Sequence, residues 1–154
     1  MTPDDGDDTR TLTLDDFPVT WAVTTRWADN DMFGHLNNAV HYELFDTAIN
    51  GWLVAETGVD PVTSPTPGVV AESGCRYLAE LGFPEPLTVG LAVTRLGRSS
   101  VTYQLGLFAS EQPGGTAAAV GHWVHVYIDR DTRRPTAIPD GLRSAMQRAL
   151  VTRA

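Results

Sequence analysis

Apolar and polar residues alternate with two different periods along this chain, and each period predicts a type of element. Apolar side chains at every second position predict a β-strand over residues 19–27. Over residues 38–57 they recur at steps of three and four, which predicts one long amphipathic helix. Its apolar stripe is broad and consists of Val40, Leu44, Phe45, Ala48, Ile49, Trp52 and Leu53. Asn37 or Asn38 can cap the start of this helix, and Gly58 can end it.

The chain returns to the strand pattern after a proline-rich loop at residues 60–68. The alternation predicts four further strands, which cover residues 69–78, 87–96, 100–109 and 116–129. Gly97 and Arg98 predict a tight hairpin turn, so the strands on either side of it are antiparallel. Pro139 is a residue favoured at the first position of a helix, and it predicts a short helix that ends near Leu150.

The order strand, long helix, four strands and short helix predicts a single α+β domain. The apolar stripe of the long helix is too wide for an element with one side in solvent, so we expect the sheet to curl around it. Residues 1–16 contain six aspartates and few apolar side chains. They predict a solvated, flexible acidic tail that precedes a domain at residues 17–154.

Composition excludes several classes of function. The formal net charge of −8 argues against nucleic acid as a partner, because phosphate binding needs clustered cations. The chain has no lysine, which excludes Schiff-base chemistry and a phosphate-loop lysine. Cys75 is the single cysteine, so neither an internal disulfide nor a cysteine-rich metal site can form. No apolar run has membrane-spanning length and no signal peptide is evident, which predicts a cytoplasmic protein without a membrane partner.

The junction between the first strand and the long helix concentrates the residues that carry chemistry. It places Asp29, Asp31, Gly34, His35 and Asn38 within ten positions. This spacing resembles the signature Asp-x-Asp-x-x-Gly-His-x-x-Asn of hotdog-fold acyl-CoA thioesterases of the 4-hydroxybenzoyl-CoA thioesterase kind. The resemblance implies a curved five-stranded antiparallel sheet wrapped around one long helix. It also implies homodimers or homotetramers with sites at the subunit interface, and a reaction that needs no metal or organic cofactor.

The resemblance assigns the reaction to Asp31, the second aspartate of the signature. A carboxylate can attack a thioester carbonyl or activate a water molecule for that attack. The resulting oxyanion needs hydrogen-bond donors, and the first free N–H groups of the helix, near Asn38, can supply them. The alternative is that Asp31 only closes an Asx turn.

The other residues of the junction each have a structural and a functional interpretation. Asp29 is expected to tie the loop together through backbone hydrogen bonds. Gly34 is expected to adopt a positive φ or to admit the substrate closely. His35 is a candidate for acid–base catalysis or a hydrogen-bonded loop residue, and Asn37 is a helix cap that can also face the substrate.

Candidate residues outside the junction carry weaker signals. Arg76 and Arg98 are candidates for the phosphates of CoA or ordinary surface residues. His41, Glu43 and Asp46 are expected on the polar side of the helix, where they could line an active site or form a solvated or interface face. His122 and His125 are predicted on opposite faces of the last strand, which prevents them from forming one site. Asp29, Asp31 and His35 could bind a divalent ion, although their spacing matches no specific metal motif.

The sequence therefore predicts an enzyme that hydrolyses an acyl-CoA thioester to a free acid and CoA. The first alternative is a hotdog hydratase or dehydratase, whose signature resembles Gly-Asp-x-Asn-Pro-x-His. That signature separates aspartate and histidine by five positions, whereas His35 follows Asp31 by four and Asp29 by six. The second alternative is a non-catalytic protein that binds acyl-CoA or an acyl carrier.

Overall fold

The computed structural model describes residues 8–153, which form one antiparallel sheet, two α-helices and three short 3₁₀ helices. The strands are β1 (Val19–Val23), β2 (Gly68–Tyr77), β3 (Leu87–Leu96), β4 (Ser100–Ala109) and β5 (Ala119–Tyr127). The long helix α1 spans Asn38–Thr57, and the short helix α2 spans Asp140–Arg148. The strands lie in the order β1-β3-β4-β5-β2, so β1 and β2 are the two edges.

Helix α1 packs against one face of the sheet, and its apolar stripe forms the main core. Phe45, Ala48 and Ile49 are completely buried. Phe45 lies over Gly121 of β5, where an added Cβ atom would come within 2.8 Å of the phenyl ring. Glycine at this position therefore allows the helix to lie close to the sheet. A curved sheet around one long helix is the hotdog fold that the sequence predicted.

The predicted bounds of the long helix are confirmed, and local side-chain chemistry explains both ends. The Asn37 side chain accepts a hydrogen bond of 2.9 Å from the amide of Ala39, which caps the start. Gly58 has a φ of +67° and ends the helix in the left-handed conformation. Among the described residues, no helix is long and apolar enough to cross a membrane.

Two strands are shorter than the alternation predicted. Strand β1 ends at Val23, and Trp27 lies in a 3₁₀ turn with 85% of its surface exposed. The chain leaves the strand because the amide of Arg26 donates to the Asp29 carboxylate, which favours a turn over a sheet bond. Strand β5 begins at Ala119, because Thr116 and Ala117 pair instead with residues near the N-terminus.

Part of the outer face of the sheet is covered by the described part of the acidic segment. Residues 1–7 of the predicted flexible tail lie outside the described residues. From Asp8 the chain forms two 3₁₀ helices, and Leu12 is buried beside Phe108 and Val120 of the sheet. Phe17 packs over Gly90, where an added Cβ atom would come within 2.7 Å of its ring. Residues 12–17 thus form a second, smaller core on the outer face.

Candidate active site

Asp29 organises the loop that joins β1 to α1. Its carboxylate accepts hydrogen bonds from the backbone amide of Arg26 at 2.7 Å and from the guanidinium at 2.8 and 3.0 Å. Its carbonyl accepts from the amide of Asn37, the residue that caps α1. The hydrogen bonds from Arg26 hold the pKa of Asp29 below its ordinary value, while burial acts in the opposite direction. These contacts fit the structural role that the sequence predicted for Asp29.

We expect Asp29→Asn to lower the free energy of unfolding by about 1–2 kcal/mol and to reduce activity only through loop order. The amide can no longer accept every bond from Arg26, and the ion pair contributes little beyond that because the Arg26 side chain is 70% exposed. The folded-state pKa is depressed, so the stabilisation is present above the ordinary carboxyl pKa and is lost as pH falls through the lower folded-state value. Urea denaturation of both proteins at pH 7 and pH 3 measures this, and an equal difference at both values would contradict it.

The Asp31 side chain forms a turn with one oxygen and also lines a cavity. Its Oδ1 atom accepts a hydrogen bond of 2.9 Å from the amide of Phe33, which is the Asx turn that the sequence offered as an alternative. Among residues 8–153, its Oδ2 atom accepts no hydrogen bond. Gly34 completes the turn with a φ of +84°, and an added Cβ atom there would meet nothing within 4 Å. The predicted positive φ is therefore confirmed, and its reason is the turn itself.

A cavity of about 370 Å³ contains the Asp31 side chain and the start of α1. Its lining combines the junction with the end of β2 and the loop that follows, and consists of Asp31, Phe33, His35, Leu36, Asn38, His41, Tyr77, Leu78, Ala79, Glu80 and Leu81. The two segments are joined by a 2.7 Å bond from the Leu36 amide to the Leu81 carbonyl. The Tyr77 hydroxyl donates to the Asn38 carbonyl at 3.0 Å. The cavity therefore has fixed walls on both sides.

The backbone amide of Asn38 is a hydrogen-bond donor without an acceptor among the described residues. The Asn37 side chain accepts a hydrogen bond from the amide of Ala39, and the Asn37 carbonyl accepts one from the amide of Val40. The amide of Asn38 stands at the first helical position, where no partner within the helix exists. The positive end of the helix dipole adds to its preference for a negatively charged ligand. The arrangement can bind an oxyanion beside the Asp31 carboxylate.

His35 is held by a carboxylate that the sequence did not single out. Its Nε2 atom lies 3.0 Å from Oε2 of Glu80, in the loop after β2. Its carbonyl accepts a hydrogen bond from the amide of Asp31. His35 is therefore connected to Asp31 through the backbone and to Glu80 through its ring. Glu80 was missed because it lies 45 positions further along the chain, outside any local motif.

His41 differs from its predicted place on the polar side of the helix. Only 3% of its surface is exposed, and its ring lines the cavity that contains Asp31. The Nδ1 atom lies 3.2 Å from the Asn37 carbonyl, and the ring meets the Tyr77 ring edge to face at 4.8 Å. Burial lowers the pKa of His41 despite the contact with that carbonyl. The sequence did contain a signal for this burial, because position 41 precedes Phe45 by four residues and so continues the buried stripe.

The two arginine candidates lie away from this cavity within a single chain. Arg76 precedes Tyr77 in β2 and pairs with Val120, whose side chain belongs to the outer face of the sheet. Arg98 lies in the β3–β4 hairpin, at the opposite end of the sheet from the Asp31 loop. Neither lines the cavity. Their assignment to CoA phosphates stays a prediction.

The remaining polar candidates lie elsewhere. Glu43 and Asp46 are exposed, as expected, and face a separate open groove of about 600 Å³. His122 and His125 point to opposite faces of β5, as predicted. His122 is exposed and lies 3.1 Å from Glu72, whereas His125 is buried under the helix. Within residues 8–153, no three histidine, cysteine, aspartate or glutamate side chains are grouped closely enough to hold a metal ion.

Comparison with protein families assigns most of the chain, including the region around the cavity, to one known family. A sequence profile described as the thioesterase-like superfamily matches residues 25–146 of this chain. The matched region begins before the Asp29 loop and ends within α2, so it includes the whole cavity. The chain belongs to the thioesterase-like superfamily.

Solved structures agree with this thioesterase in both sequence and fold. The PA5185 protein from Pseudomonas aeruginosa strain PAO1 is 41% identical, with a TM-score of 0.85 over 88% of this chain and 94% of that one. The PA2801 protein of the same species is 30% identical, with a TM-score of 0.78 over 84% of this chain and 98% of that one. A Thermus thermophilus thioesterase complexed with coenzyme A and Zn is 29% identical, with a TM-score of 0.70 over 85% and 92%. Family and fold together make the protein a thioester hydrolase.

Proposed function

We propose that this thioesterase hydrolyses an acyl-CoA thioester to a free carboxylic acid and CoA. The observation that supports the proposal is that the Asp31 carboxylate and the Asn38 amide, which has no acceptor within residues 8–153, line one cavity. Thioester hydrolysis requires a group that attacks or activates water and a donor for the oxyanion. The relative from Thermus thermophilus, complexed with coenzyme A, supports CoA as the thiol part of the substrate.

The proposed mechanism assigns Asp31 as nucleophile or general base. The thioester carbonyl oxygen binds at the Asn38 amide, and the Asp31 Oδ2 atom faces the carbonyl carbon. As the carbonyl becomes tetrahedral, negative charge develops on its oxygen, and the fixed N–H group stabilises that charge. His35 is assigned a supporting catalytic role, held by Glu80. Gly34 and Asn37 fix the loop and helix start that surround the substrate, and the mechanism uses no metal or organic cofactor.

The proposal includes a second copy of the chain, because β2 is an edge strand of the sheet that residues 8–153 form. Among the described residues, no strand pairs with its free side, and Val70, which pairs with His125 and so lies on the α1 side of the sheet, is 49% exposed. Antiparallel pairing of two β2 strands would build one continuous sheet with twofold symmetry. It would also bring the Arg98 end of one sheet beside the Asp31 end of the other. In a homodimer or homotetramer, Arg98 of one subunit could therefore reach the phosphates of CoA bound in the cavity of the other subunit.

We expect Val70→Lys to convert the protein from a dimer or larger assembly into a monomer. A lysine on an edge strand opposes pairing because its charge would have to be buried. Light scattering on the variant should give one chain mass of 16.7 kDa, and the wild type a multiple of it. Val62→Lys is the matched control, because Val62 is an exposed valine in the loop between α1 and β2. A wild-type monomer with full activity would overturn the proposed assembly.

A panel of acyl-CoA substrates tests the proposed reaction. Short-, medium- and long-chain and aromatic acyl-CoAs are supplied, and free thiol is measured with a colour reagent in the presence of EDTA. The proposal predicts thiol release from at least one class. A hydratase would instead change the absorbance of an enoyl-CoA without releasing thiol. A binding protein would do neither, yet ligand would raise its melting temperature.

We also propose a cytoplasmic location, which suits a protein whose single cysteine is unpaired.

A further inference from the structure

His41 is a buried titratable group that the mechanism above does not use. The Nδ1 atom faces a carbonyl oxygen, that of Asn37, at 3.2 Å. A carbonyl oxygen can only accept, so Nδ1 carries the proton and donates it to that oxygen. In the neutral ring the other nitrogen, Nε2, then has a free lone pair. The contact with the capping residue therefore fixes which nitrogen of His41 can act as a base.

The surroundings favour the neutral form of this imidazole, which lines the same cavity as Asp31 and Asn38. Burial favours the uncharged ring, and no carboxylate forms an ion pair with it among the described residues. The titratable groups that face the same cavity are Tyr77 from β2, Asp31 and His35 from the junction, and Glu80 from the loop after β2. The Glu80 carboxylate is already engaged by His35. His41 is thus the neutral base of this cavity, on the helix turn that also carries the Asn38 amide.

We propose that His41 deprotonates the water that completes hydrolysis, which makes Asp31 the nucleophile. This inference rests on the proposed thioesterase function. In the first step the Asp31 carboxylate attacks the acyl carbon, a C–O bond forms, and the C–S bond breaks. The electron pair leaves with the sulfur, and the CoA thiolate takes a proton from solvent. The product is an acyl group joined to Asp31 as a mixed anhydride.

The second step needs another base, because an acylated Asp31 can no longer accept a proton. Water attacks the acyl carbon, its proton passes to Nε2 of His41, and the bond between the acyl carbon and the Asp31 oxygen breaks. The released carboxylic acid keeps the second proton of the water and loses it to solvent, the Asp31 carboxylate is restored, and the imidazolium returns its proton to solvent. Imidazole is the side chain that most often performs this task near neutral pH.

Two amide variants separate this role from a structural one. His41→Asn keeps a side-chain N–H at the position of Nδ1 and can still donate to the Asn37 carbonyl, but it has nothing at Nε2. His41→Gln places its amide near the position of Nε2 but offers no base. His122→Asn is the matched control, because it removes an exposed histidine on the other face of the sheet. Circular dichroism and thermal melting establish that each variant is folded.

The readouts are the time course of thiol release and the intact mass of the quenched protein. We expect the folded His41 variants to release about one equivalent of thiol per chain in a burst and then to turn over about 10²- to 10⁴-fold more slowly than wild type. The quenched protein should carry the mass of one acyl group. If either variant fails to fold, the other one gives the result.

Three outcomes are distinguishable. A wild type that releases no thiol defeats the proposed function itself. A folded His41→Asn protein with turnover within about threefold of wild type overturns the role of His41 while the thioesterase assignment stands. Slow turnover without a burst or an acylated protein also overturns it, because the loss then arises before the second step.

Wild-type turnover should also fall at acidic pH, where His41 becomes protonated, and the His41→Asn protein should not show that transition.

Discussion

Asp31→Asn is expected to leave the protein folded and to lower turnover by at least two orders of magnitude. The asparagine retains Oδ1, which can still accept the Phe33 amide at 2.9 Å, so the turn is preserved. What is lost is the negative charge at the Oδ2 position, and with it the nucleophile that attacks the thioester. Loss of one oxyanion donor costs about 3–4 kcal/mol in comparable sites, and loss of the attacking carboxylate should cost at least as much.

Asp60→Asn is the matched control for this experiment. The Oδ1 atom of Asp60 accepts the amide of Val62 at 2.9 Å, so it forms the same turn far from the cavity. Its replacement should change neither turnover nor melting temperature. Steady-state thiol release from the best substrate of the panel, with both variants at equal concentration, provides the comparison. Near-normal turnover by a folded Asp31→Asn protein would refute the assignment of Asp31.

Phe45→Ala is expected to have the largest effect on stability. The ring is fully buried between α1 and the sheet, in contact with Gly121 and 5.6 Å from the Trp123 ring. Truncation removes this contact area and leaves a void that the close packing cannot fill, at a cost of about 3–5 kcal/mol. Chemical denaturation should therefore show a much lower midpoint with an unchanged slope.

Val54→Ala on the same helix is the control for the Phe45 variant. Val54 is 42% exposed, and its truncation should cost well under 1 kcal/mol because surface substitutions seldom matter more. If Phe45→Ala were equally mild, α1 would not be the centre of the core. In that case the hotdog packing described above would be wrong at its main contact.

The periodicity of the chain predicted the helix and the central strands because packing and local preference agree there. In α1, the apolar stripe, the Asn37 cap and the Gly58 terminus all indicate the same bounds. Strands β3 and β4 were likewise predicted to the residue. The end of β1 was missed because alternation continues to Trp27 while the hydrogen bond from Arg26 to Asp29 forces a turn. The start of β5 was missed because its pairing partner, near Leu12, lies more than 100 residues away.

Only part of the candidate site could be predicted from the sequence, because only that part lies on one stretch of the chain. Asp31, Gly34 and Asn38 lie on one continuous stretch, so their spacing carried the signal. Tyr77 and Glu80, which form the opposite wall of the cavity, are brought there by the sheet and have no motif. The sequence predicts His41 on the polar side because histidine is a polar residue, although its position continues the buried stripe. Arg98 needs a second chain to approach the cavity, which one sequence cannot show.

A crystal structure with a non-hydrolysable acyl-CoA analogue tests the central claim most directly. The claim is that the thioester reacts between the Asp31 carboxylate and the Asn38 amide. We predict that the carbonyl oxygen of the analogue lies about 2.7–3.1 Å from the Asn38 nitrogen, with its carbon facing Oδ2 of Asp31. A carbonyl bound elsewhere, such as in the groove beside Glu43 and Asp46, with the Asn38 amide unoccupied, would contradict the account.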